Sequence, residues 1–335
     1  MSIRIAVNGF GRIGRLAYRR IQELENTDLE VVAVNDLTDN EDLAYLLKYD
    51  TAYGVFPYAV EVSDNSITVD EKEIRTYKEQ DADNLPWNEL EIDVVLECTG
   101  FYTTAEKSQA HLRAGAKRVV ISAPAKDDVT KMVVYGVNED TLNADEKIIS
   151  AASCTTNSLA LMTNVLVNEF GIRRGLMTGS RAYTPSQALQ DAPGGRKNRA
   201  GAQNVIPTTT GAAKALGKVI PEVNGIITGT TTRVPVITAG FVELFSVLDK
   251  EVTVSEINKT MKAAANDSLA YTEDEIVSSD VIGDTHASIF DATLTEVMDA
   301  NEGQLVKTVA WYDNEYGYVS NMIRLLEYFV KLTKE

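Results

Sequence analysis

The chain has 335 residues, two of them cysteines, and its 32 basic and 49 acidic side chains give a formal net charge of −17. The length suggests about two domains of roughly 100–200 residues each, and the excess of acid argues against general affinity for nucleic acid, which depends on lysine and arginine meeting phosphate. Two cysteines cannot form a disulfide framework, the opening MSIRIAVNGF lacks the basic and apolar regions of a signal peptide, and no apolar run reaches the ~18 residues of a membrane span. We therefore expect a cytoplasmic globular protein.

The first 150 residues alternate strand-like apolar runs with amphipathic segments. The strand-like runs lie at residues 3–7, 29–34, 92–97, 118–122 and 131–135. Helical spacing of apolar residues separates the first two runs, and residues 40–48 and 104–114 also predict helices. This alternation predicts an α/β fold with a parallel, doubly wound sheet.

The composition changes in the middle of the chain. Residues 175–211 are rich in Gly, Pro, Thr and Arg and predict a long loop. Beyond the loop, strands are predicted near 232–237, 240–248, 286–290 and 305–312, with helices at 211–220 and 254–266. The pattern predicts an α+β domain with a mixed or antiparallel sheet, followed by a last helix at about 316–333 that packs back on the first domain.

The stretch VNGFGRIGR combines a predicted strand, three spaced glycines and the start of a helix. Gly9 permits a tight turn, Gly11 lets the backbone approach a pyrophosphate, and Gly14 allows close packing of helix on sheet. Asp36 ends the next strand, where a carboxylate accepts from a ribose 2′-hydroxyl and repels a 2′-phosphate. A glycine-rich turn without a ligand is the alternative. The agreement of strand, glycines, helix and acid favours a dinucleotide site for NAD.

Cys154 lies in AASCTTNS, between a strand-like run and a helix-like run. A cysteine is often only a small buried hydrophobe, but a thiolate at a helix N-terminus is stabilised by the dipole and by free N–H groups. A thiolate beside NAD indicates aldehyde oxidation through a thioester. Cys98 ends an apolar strand and is interpreted as structural, whereas Thr99 and Gly100 are expected to line the cofactor cleft.

The motifs NGFGRIGR, ASCTTN, AYTPSQ, PTTTGAAKALGKVIPE, RVPV and WYDNEYGY occur in this order. With them, the chain resembles the phosphorylating glyceraldehyde-3-phosphate dehydrogenases of bacterial type along essentially its whole length. The resemblance implies a homotetramer whose subunits have a Rossmann NAD-binding domain (1–150 with 315–335) and a catalytic domain (151–314). It also implies the glycolytic conversion of glyceraldehyde 3-phosphate, inorganic phosphate and NAD to 1,3-bisphosphoglycerate and NADH.

The resemblance assigns roles to residues by matching motifs. Cys154 is the nucleophile, Thr184 and Arg233 hold the substrate phosphate, and the attacking inorganic phosphate is held by Ser153, Thr155, Thr210 and Gly211. The cofactor residues are Gly9, Phe10, Gly11, Arg12, Ile13, Gly14, Asp36, Thr99, Gly100, Ser122, Ala123, Asn314 and Tyr318, and no metal site is indicated. Residues 182–204 match the S-loop, which contacts the cofactor of a neighbouring subunit.

The chain departs from the family pattern at one catalytic position. The family carries a histidine in TTVHAYT or TTIHAYT, where this chain reads TGSRAYT with Arg181. Arginine can stabilise a thiolate by its charge, but it stays protonated and does not readily move a proton during oxidation. The remaining histidines, His111 and His286, are interpreted as structural. We therefore expect a nucleophilic Cys154 with impaired oxidation.

Two alternatives to the glycolytic enzyme stay open. One is a relative that takes another phosphorylated aldehyde, such as erythrose 4-phosphate, because Thr184 and Arg233 still require a phosphate. The other is a catalytically weak form, displayed at the cell surface, that binds host proteins. NADH formation with and without inorganic phosphate separates these classes, because only the phosphorylating enzyme depends on phosphate.

Overall fold

The computed structural model describes residues 2–300 and 303–332, which fall into two compact units. The first unit comprises Met1–Val133, Glu139–Ala152 and Met322–Glu335, and the second comprises Val134–Asn138 and Ser153–Asn321. No helix in the described ranges is long and apolar enough to cross a membrane.

The first unit is built on a largely parallel sheet. Its strands are Ile3–Asn8 (β1), Leu29–Asn35 (β2), Tyr49–Asp50 (β3), Gly54–Val55 (β4), Val60–Ser63 (β5), Ser66–Val69 (β6), Lys72–Tyr77 (β7), Val94–Glu97 (β8), Arg118–Ile121 (β9), Lys131–Met132 (β10) and Ile148–Ser150 (β11). Its helices are Arg12–Glu23 (α1), Asn40–Lys48 (α2) and Ala105–Arg113 (α3). The sheet order is β10-β11-β9-β8-β1-β2-β7-β6-β5, and the small β3–β4 hairpin stands apart.

The doubly wound parallel sheet predicted from the alternation is confirmed. The central strand β1 pairs in parallel with β2 on one side and β8 on the other, and its Ile5 and Val7 are fully buried. Parallel strands covered on both faces need such continuous apolar runs. The pairs β5–β6 and β6–β7 are antiparallel. These short strands were not predicted, because their sequences VEVS, SITV and KEIRTY are too polar to give an apolar run.

The second unit contains a mixed sheet, as predicted. Its elements are Cys154–Phe170 (α4), Ile172–Ala182 (β12), Ile206–Thr209 (β13), Ala212–Val219 (α5), Ile227–Val234 (β14), Gly240–Leu248 (β15), Val254–Ala263 (α6), Leu269–Thr272 (β16), Ser288–Asp291 (β17), Glu296–Ala300 (β18) and Gly303–Tyr312 (β19). The order is β13-β14-β12-β15-β19-β17-β16, with β18 on β19. Strand β12 is parallel to β14 and antiparallel to β15, and α4 contacts β15, β17 and β19.

The long loop predicted at residues 175–211 is wrong at both ends. Strand β12 runs to Ala182 in the interior of the sheet, and β13 begins at Ile206. The sequence GLMTGSRA is too polar to predict a strand, but its backbone hydrogen bonds are made by the two neighbouring strands β14 and β15. The run at 131–135 is also shorter than predicted, since only Lys131–Met132 is strand.

The last helix extends over Tyr316–Lys331 (α7), close to the prediction. Its residues from Met322 onward belong to the first unit. There the Arg118 guanidinium lies 4.2 Å from the ring centroid of Phe329 and donates to the carbonyl of that residue, while Thr27 donates to Glu327 over 3.0 Å. The end of α7 therefore packs on the first unit.

Candidate functional site

The glycine loop after β1 has the geometry that a dinucleotide site requires. Gly9 has a φ of 91°, and a Cβ on it would lie 2.7 Å from the backbone nitrogen of Thr99. A Cβ on Gly14 would lie 2.2 Å from the carbonyl oxygen of Gly9, whereas one on Gly11 meets no atom within 4 Å. The outer two glycines are thus required by packing, and the middle one, N-cap of α1, faces open space. Such a cradle fits a pyrophosphate at the start of a helix.

Asp36 is tied to this loop. Its Oδ2 accepts from the backbone N–H of Phe10 over 2.7 Å and its Oδ1 from that of Thr38 over 3.0 Å. Phe10 itself is buried, so its contribution to the loop is this N–H group. The loop and the carboxylate border a cavity of about 730 Å³ that Thr99 and Phe101 also line. A dinucleotide fits this set of groups, since glycine backbone and carboxylate share one cavity.

The remaining predicted cofactor residues of the first unit lie around the strand ends. Arg12 forms an ion pair with Asp50 over 2.7 Å, and Ile13 next to it is half-buried. Thr99 bonds through its N–H to Glu97, and Gly100 follows with a φ of 73°. Ser122 and Ala123 follow β9, where the N–H of Ser122 donates to the carbonyl of Glu97 and Ala123 accepts from Ser150.

Cys154 is the first residue of α4, as the sequence predicts. Ser153 caps this helix, and its hydroxyl accepts from the N–H of Thr156 over 3.1 Å. Ala152, just before the cap, has a φ of 59°, a left-handed conformation that side chains with a Cβ rarely adopt. The Cys154 side chain is half-buried. The strained turn and the helix start therefore hold a thiol where free N–H groups and the helix dipole favour negative charge.

Arg181, at the position of the expected histidine, reaches the residue next to this thiol. Its Nη1 donates to Thr155 Oγ1 over 3.1 Å, and Thr155 Oγ1 lies 3.9 Å from the Cys154 sulfur. The same hydroxyl lies 3.0 Å from the hydroxyl of buried Tyr312. Strand β12 keeps its register from Gly175 through Ala182, so Gly179, Ser180 and Arg181, which stand before AYT where the family has TVH or TIH, do not distort the strand.

A second guanidinium stands beside the first. Arg233 on β14 is the register partner of Arg181, and its Nη1 donates to the carbonyl of Ala182 over 2.8 Å. The Nε atoms of both arginines are buried without a hydrogen-bond partner. Burial, and then the charge of Arg181, lower the pKa of Arg233 to about 10, whereas the Cys154 charge acts in the opposite direction. Two cations side by side, each with a buried Nε that has no hydrogen-bond partner, favour the binding of an anion here.

Tyr312 lies with Cys154, Thr155 and the two arginines, and the sequence analysis did not single it out. Burial, and then the negative charge of Cys154, raise the pKa of Tyr312 to about 12. It ends β19, and its partner Thr155 is 157 positions away in the chain. The WYDNE motif placed this tyrosine at a strand end, but only the fold brings it to the thiol.

The predicted phosphate residues lie on separate local structures of the second unit. Thr184 bonds to Ser186 and Gln187, through its Oγ1 and its N–H. Thr210 accepts from the N–H of Ala212, and Gly211 is the N-cap of α5, where a Cβ would meet nothing within 4 Å. The segment 182–204, which contains Thr184, is largely exposed, and an Asp191–Arg199 ion pair over 2.8 Å links two parts of it.

Asn314 and Tyr318 follow β19. The amide oxygen of Asn314 accepts from the N–H of Ala239 over 2.7 Å and from the Thr238 hydroxyl over 3.2 Å. These bonds orient the amide and leave its NH₂ end to point elsewhere. Tyr318 is buried in the first turn of α7.

Neither histidine is hydrogen-bonded to Cys154, Thr155 or Arg181 in the described part of the chain. His286 bonds through Nδ1 to Asp284 over 2.7 Å, and His111 is fully buried in the first unit. Burial raises the pKa of the Cys98 thiol to about 12, against the opposing hydrogen bond with Ser122, so this thiol stays protonated at neutral pH. Among the residues that the structure describes, no group of three or more His, Cys, Asp and Glu side chains is placed to hold a metal ion.

Comparison with known proteins covers both units. Residues 3–105 match the family model described as glyceraldehyde 3-phosphate dehydrogenase, NAD binding domain, and residues 153–314 match that of its C-terminal domain. The chain is 55% identical over 335 residues to the glyceraldehyde-3-phosphate dehydrogenase of Clostridium pasteurianum, with 99% of each chain covered. It is 54% identical to that of Lactobacillus delbrueckii subsp. bulgaricus (99% of this chain, 100% of the relative). The Streptococcus pyogenes enzyme is 52% identical, with both chains fully covered.

Proposed function

Because the chain belongs to the glyceraldehyde-3-phosphate dehydrogenase family, we propose that it oxidises and phosphorylates glyceraldehyde 3-phosphate through a thioester at Cys154. We further propose that oxidation is slowed because Arg181 stands where the family has histidine. The observation that carries this second part is the hydrogen bond from Arg181 to Thr155, the immediate neighbour of Cys154.

The nucleophilic step needs a negatively charged sulfur. Cys154 lies at the start of a 17-residue helix, and the charges of Arg181 and Arg233 reinforce the helix dipole there. The Cys154 charge influences the pKa values of both Arg233 and Tyr312, so these groups are electrostatic neighbours of the sulfur. The thiolate attacks the aldehyde carbon, and the guanidinium groups stabilise the oxyanion that forms.

The oxidation step needs a group that removes the hydroxyl proton of the hemithioacetal. NAD, when bound, supplies the hydride acceptor. An arginine cannot take the proton, because guanidinium groups keep their charge in proteins. Tyr312 does not replace it, because its pKa of about 12 keeps the hydroxyl protonated. Loss of a general base typically lowers the rate by about 10²–10⁴-fold, so we expect a slow oxidation step and an intact nucleophile.

The phosphate groups would be held by the cationic pair and by hydroxyl donors. Arg233 and Thr184 are proposed to hold the substrate phosphate, and Ser153, Thr210 and Gly211 the attacking phosphate. The unpartnered guanidinium Nε of Arg233 supports the first assignment. Gly211, as exposed N-cap of α5, supports the second. The Thr155 hydroxyl is buried and already bonded to Arg181 and Tyr312, so its proposed part is its backbone N–H.

The cofactor is proposed to lie on the glycine loop, with Asp36 at the ribose. The NH₂ group of Asn314 is proposed to hold the nicotinamide carboxamide, because the other end of this amide is occupied by Ala239 and Thr238. We also propose that the protein is a homotetramer in the cytoplasm, in which residues 182–204 contact a neighbouring subunit. Size-exclusion chromatography with light scattering tests the assembly.

The function is tested by kinetics on the natural chain and on Arg181→His. We expect similar alkylation of Cys154 by iodoacetamide in both, and NADH formation about 10²–10⁴-fold faster in the histidine variant. Cys154→Ser is the control that removes both signals. Equal turnover of the natural chain and the histidine variant would refute the impaired oxidation.

Phosphate dependence separates the alternatives. NADH formation that requires inorganic phosphate supports the phosphorylating enzyme, and a comparison with erythrose 4-phosphate reports the preferred aldehyde. If neither the natural chain nor Arg181→His forms NADH, with or without inorganic phosphate, the result would favour the form that binds host proteins at the cell surface.

A further inference from the structure

A buried polar network connects α3 to the strand ends that border the cofactor cavity. At its centre is the carboxyl group of Glu97, which is 1% exposed. Glu97 Oε2 accepts from Asn8 Nδ2 over 2.6 Å and lies 3.1 Å from His111 Nε2. Glu97 Oε1 accepts from the N–H of Thr99 over 2.7 Å and from its hydroxyl. The side chain therefore acts purely as an acceptor, as a carboxylate does.

The protonation state of His111 follows from its other neighbour. Trp87 Nε1 lies 3.2 Å from His111 Nδ1, and an indole N–H can only donate. Nδ1 must therefore carry a lone pair, and the ring proton is on Nε2, facing Glu97. His111, Trp87 and Glu97 are all buried, so this is a neutral imidazole that donates to a buried carboxylate. Such a carboxylate is costly unless its lone pairs are satisfied.

The groups that Glu97 holds are those that shape the cofactor cavity. Thr99 Oγ1 in turn accepts from the N–H of Phe101 over 3.0 Å, and Gly9 packs against the Thr99 backbone. Asn8 accepts from Asn35 over 2.8 Å at the end of the next strand. Asn8, Gly9, Asn35, Thr99 and Phe101 all line the cavity of about 730 Å³.

We propose that His111 is a positioning residue for the dinucleotide, acting by fixing the Glu97 carboxylate and thereby the Thr99–Phe101 turn and Asn8. It is then not merely a structural core residue. The inference rests on the cofactor site of the proposed function but not on its chemistry. Neither Cys154 nor Arg181 takes part in the network. The effect of the network can therefore be measured as NADH affinity, which does not require turnover.

Two amide variants of the histidine make a matched pair. His111→Gln places an amide near Nε2, where it can donate to Glu97, whereas His111→Asn reaches only the Nδ1 position and can still accept from Trp87. NADH binding to the full chain is measured by fluorescence titration without aldehyde or phosphate. We expect the affinity of H111Q to stay within about twofold of the natural chain and that of H111N to fall about tenfold, the value of one charged hydrogen bond.

Further variants separate positioning from stability. Trp87→Phe removes only the donor to Nδ1 and keeps every donor to Glu97, so we expect its NADH affinity to stay within about twofold even where its thermal midpoint falls. Arg113→Gln, at an exposed ion pair on the same helix, is the surface control. Equal affinities of H111Q and H111N, or a tenfold loss in W87F, would overturn the proposal. Normal NADH binding by a chain that forms no NADH even as Arg181→His would instead count against the proposed function.

Discussion

The Thr155 hydroxyl offers the sharpest test of the proposed catalytic arrangement around Cys154. It accepts from Arg181 over 3.1 Å and lies 3.0 Å from the hydroxyl of Tyr312. Thr155 and Tyr312 are each 1% exposed. Thr155→Val keeps the shape but leaves a buried phenol and a guanidinium without this partner. An unsatisfied buried group costs about 1–3 kcal/mol, so we expect the free energy of unfolding to fall by roughly 2–3 kcal/mol.

The magnitude is checked by a double-mutant cycle with Tyr312→Phe. Removing the phenol alone leaves Thr155 bonded to Arg181 and should cost only about 1 kcal/mol. The double variant should lose less than the sum, by about 0.5–1 kcal/mol, because both ends of one contact are gone. Denaturant unfolding gives the energies, and Thr155→Ser, which keeps the hydroxyl, is the control.

The Thr155→Val substitution should also affect the reactivity of Cys154. Without Thr155 Oγ1, the Arg181 guanidinium loses its only hydrogen bond among the described residues, so its charge is held less firmly near the thiol. We expect several-fold slower alkylation of Cys154 at neutral pH. An unchanged unfolding energy together with an unchanged alkylation rate would refute the placement of Arg181 in this cluster.

Three further predictions concern the surrounding groups. Arg233→Lys should raise the KM for the phosphorylated aldehyde about tenfold or more, because a point charge replaces a planar donor fork; an unchanged KM would exclude Arg233 from the phosphate site. Gly14→Ala should abolish detectable NADH binding, since its Cβ would lie 2.2 Å from the Gly9 carbonyl; titration that finds normal affinity contradicts the tight loop. The Cys98 thiol, with a folded pKa of about 12, binds its proton more tightly when folded. Its contribution to stability should be complete below about pH 9 and lost as pH rises toward 12, so thermal midpoints should decline less steeply over this range in Cys98→Ala.

Much of the site could be predicted because its parts are local. Gly9, Gly11 and Gly14 are close in sequence and lie between β1 and α1, so strand, turn and helix start follow from a short stretch of sequence. Cys154 likewise was placed at a helix start by the runs on either side of it. Polar strands were harder, because β12 owes its extended state to pairing with β14 and β15 rather than to its own residues.

The sequence by itself determined the alternating α/β pattern, the glycine loop, the helix start at Cys154 and the replacement of the expected histidine by Arg181. Only the tertiary structure decided which side chains meet. Register across the sheet of the second unit puts Arg233 beside Arg181, and a contact over 157 positions brings Tyr312 to Thr155. Local elements follow from residue spacing and intrinsic propensity. The contacts of Arg181 with Arg233 and of Thr155 with Tyr312 depend instead on long-range packing, which no local stretch of sequence encodes.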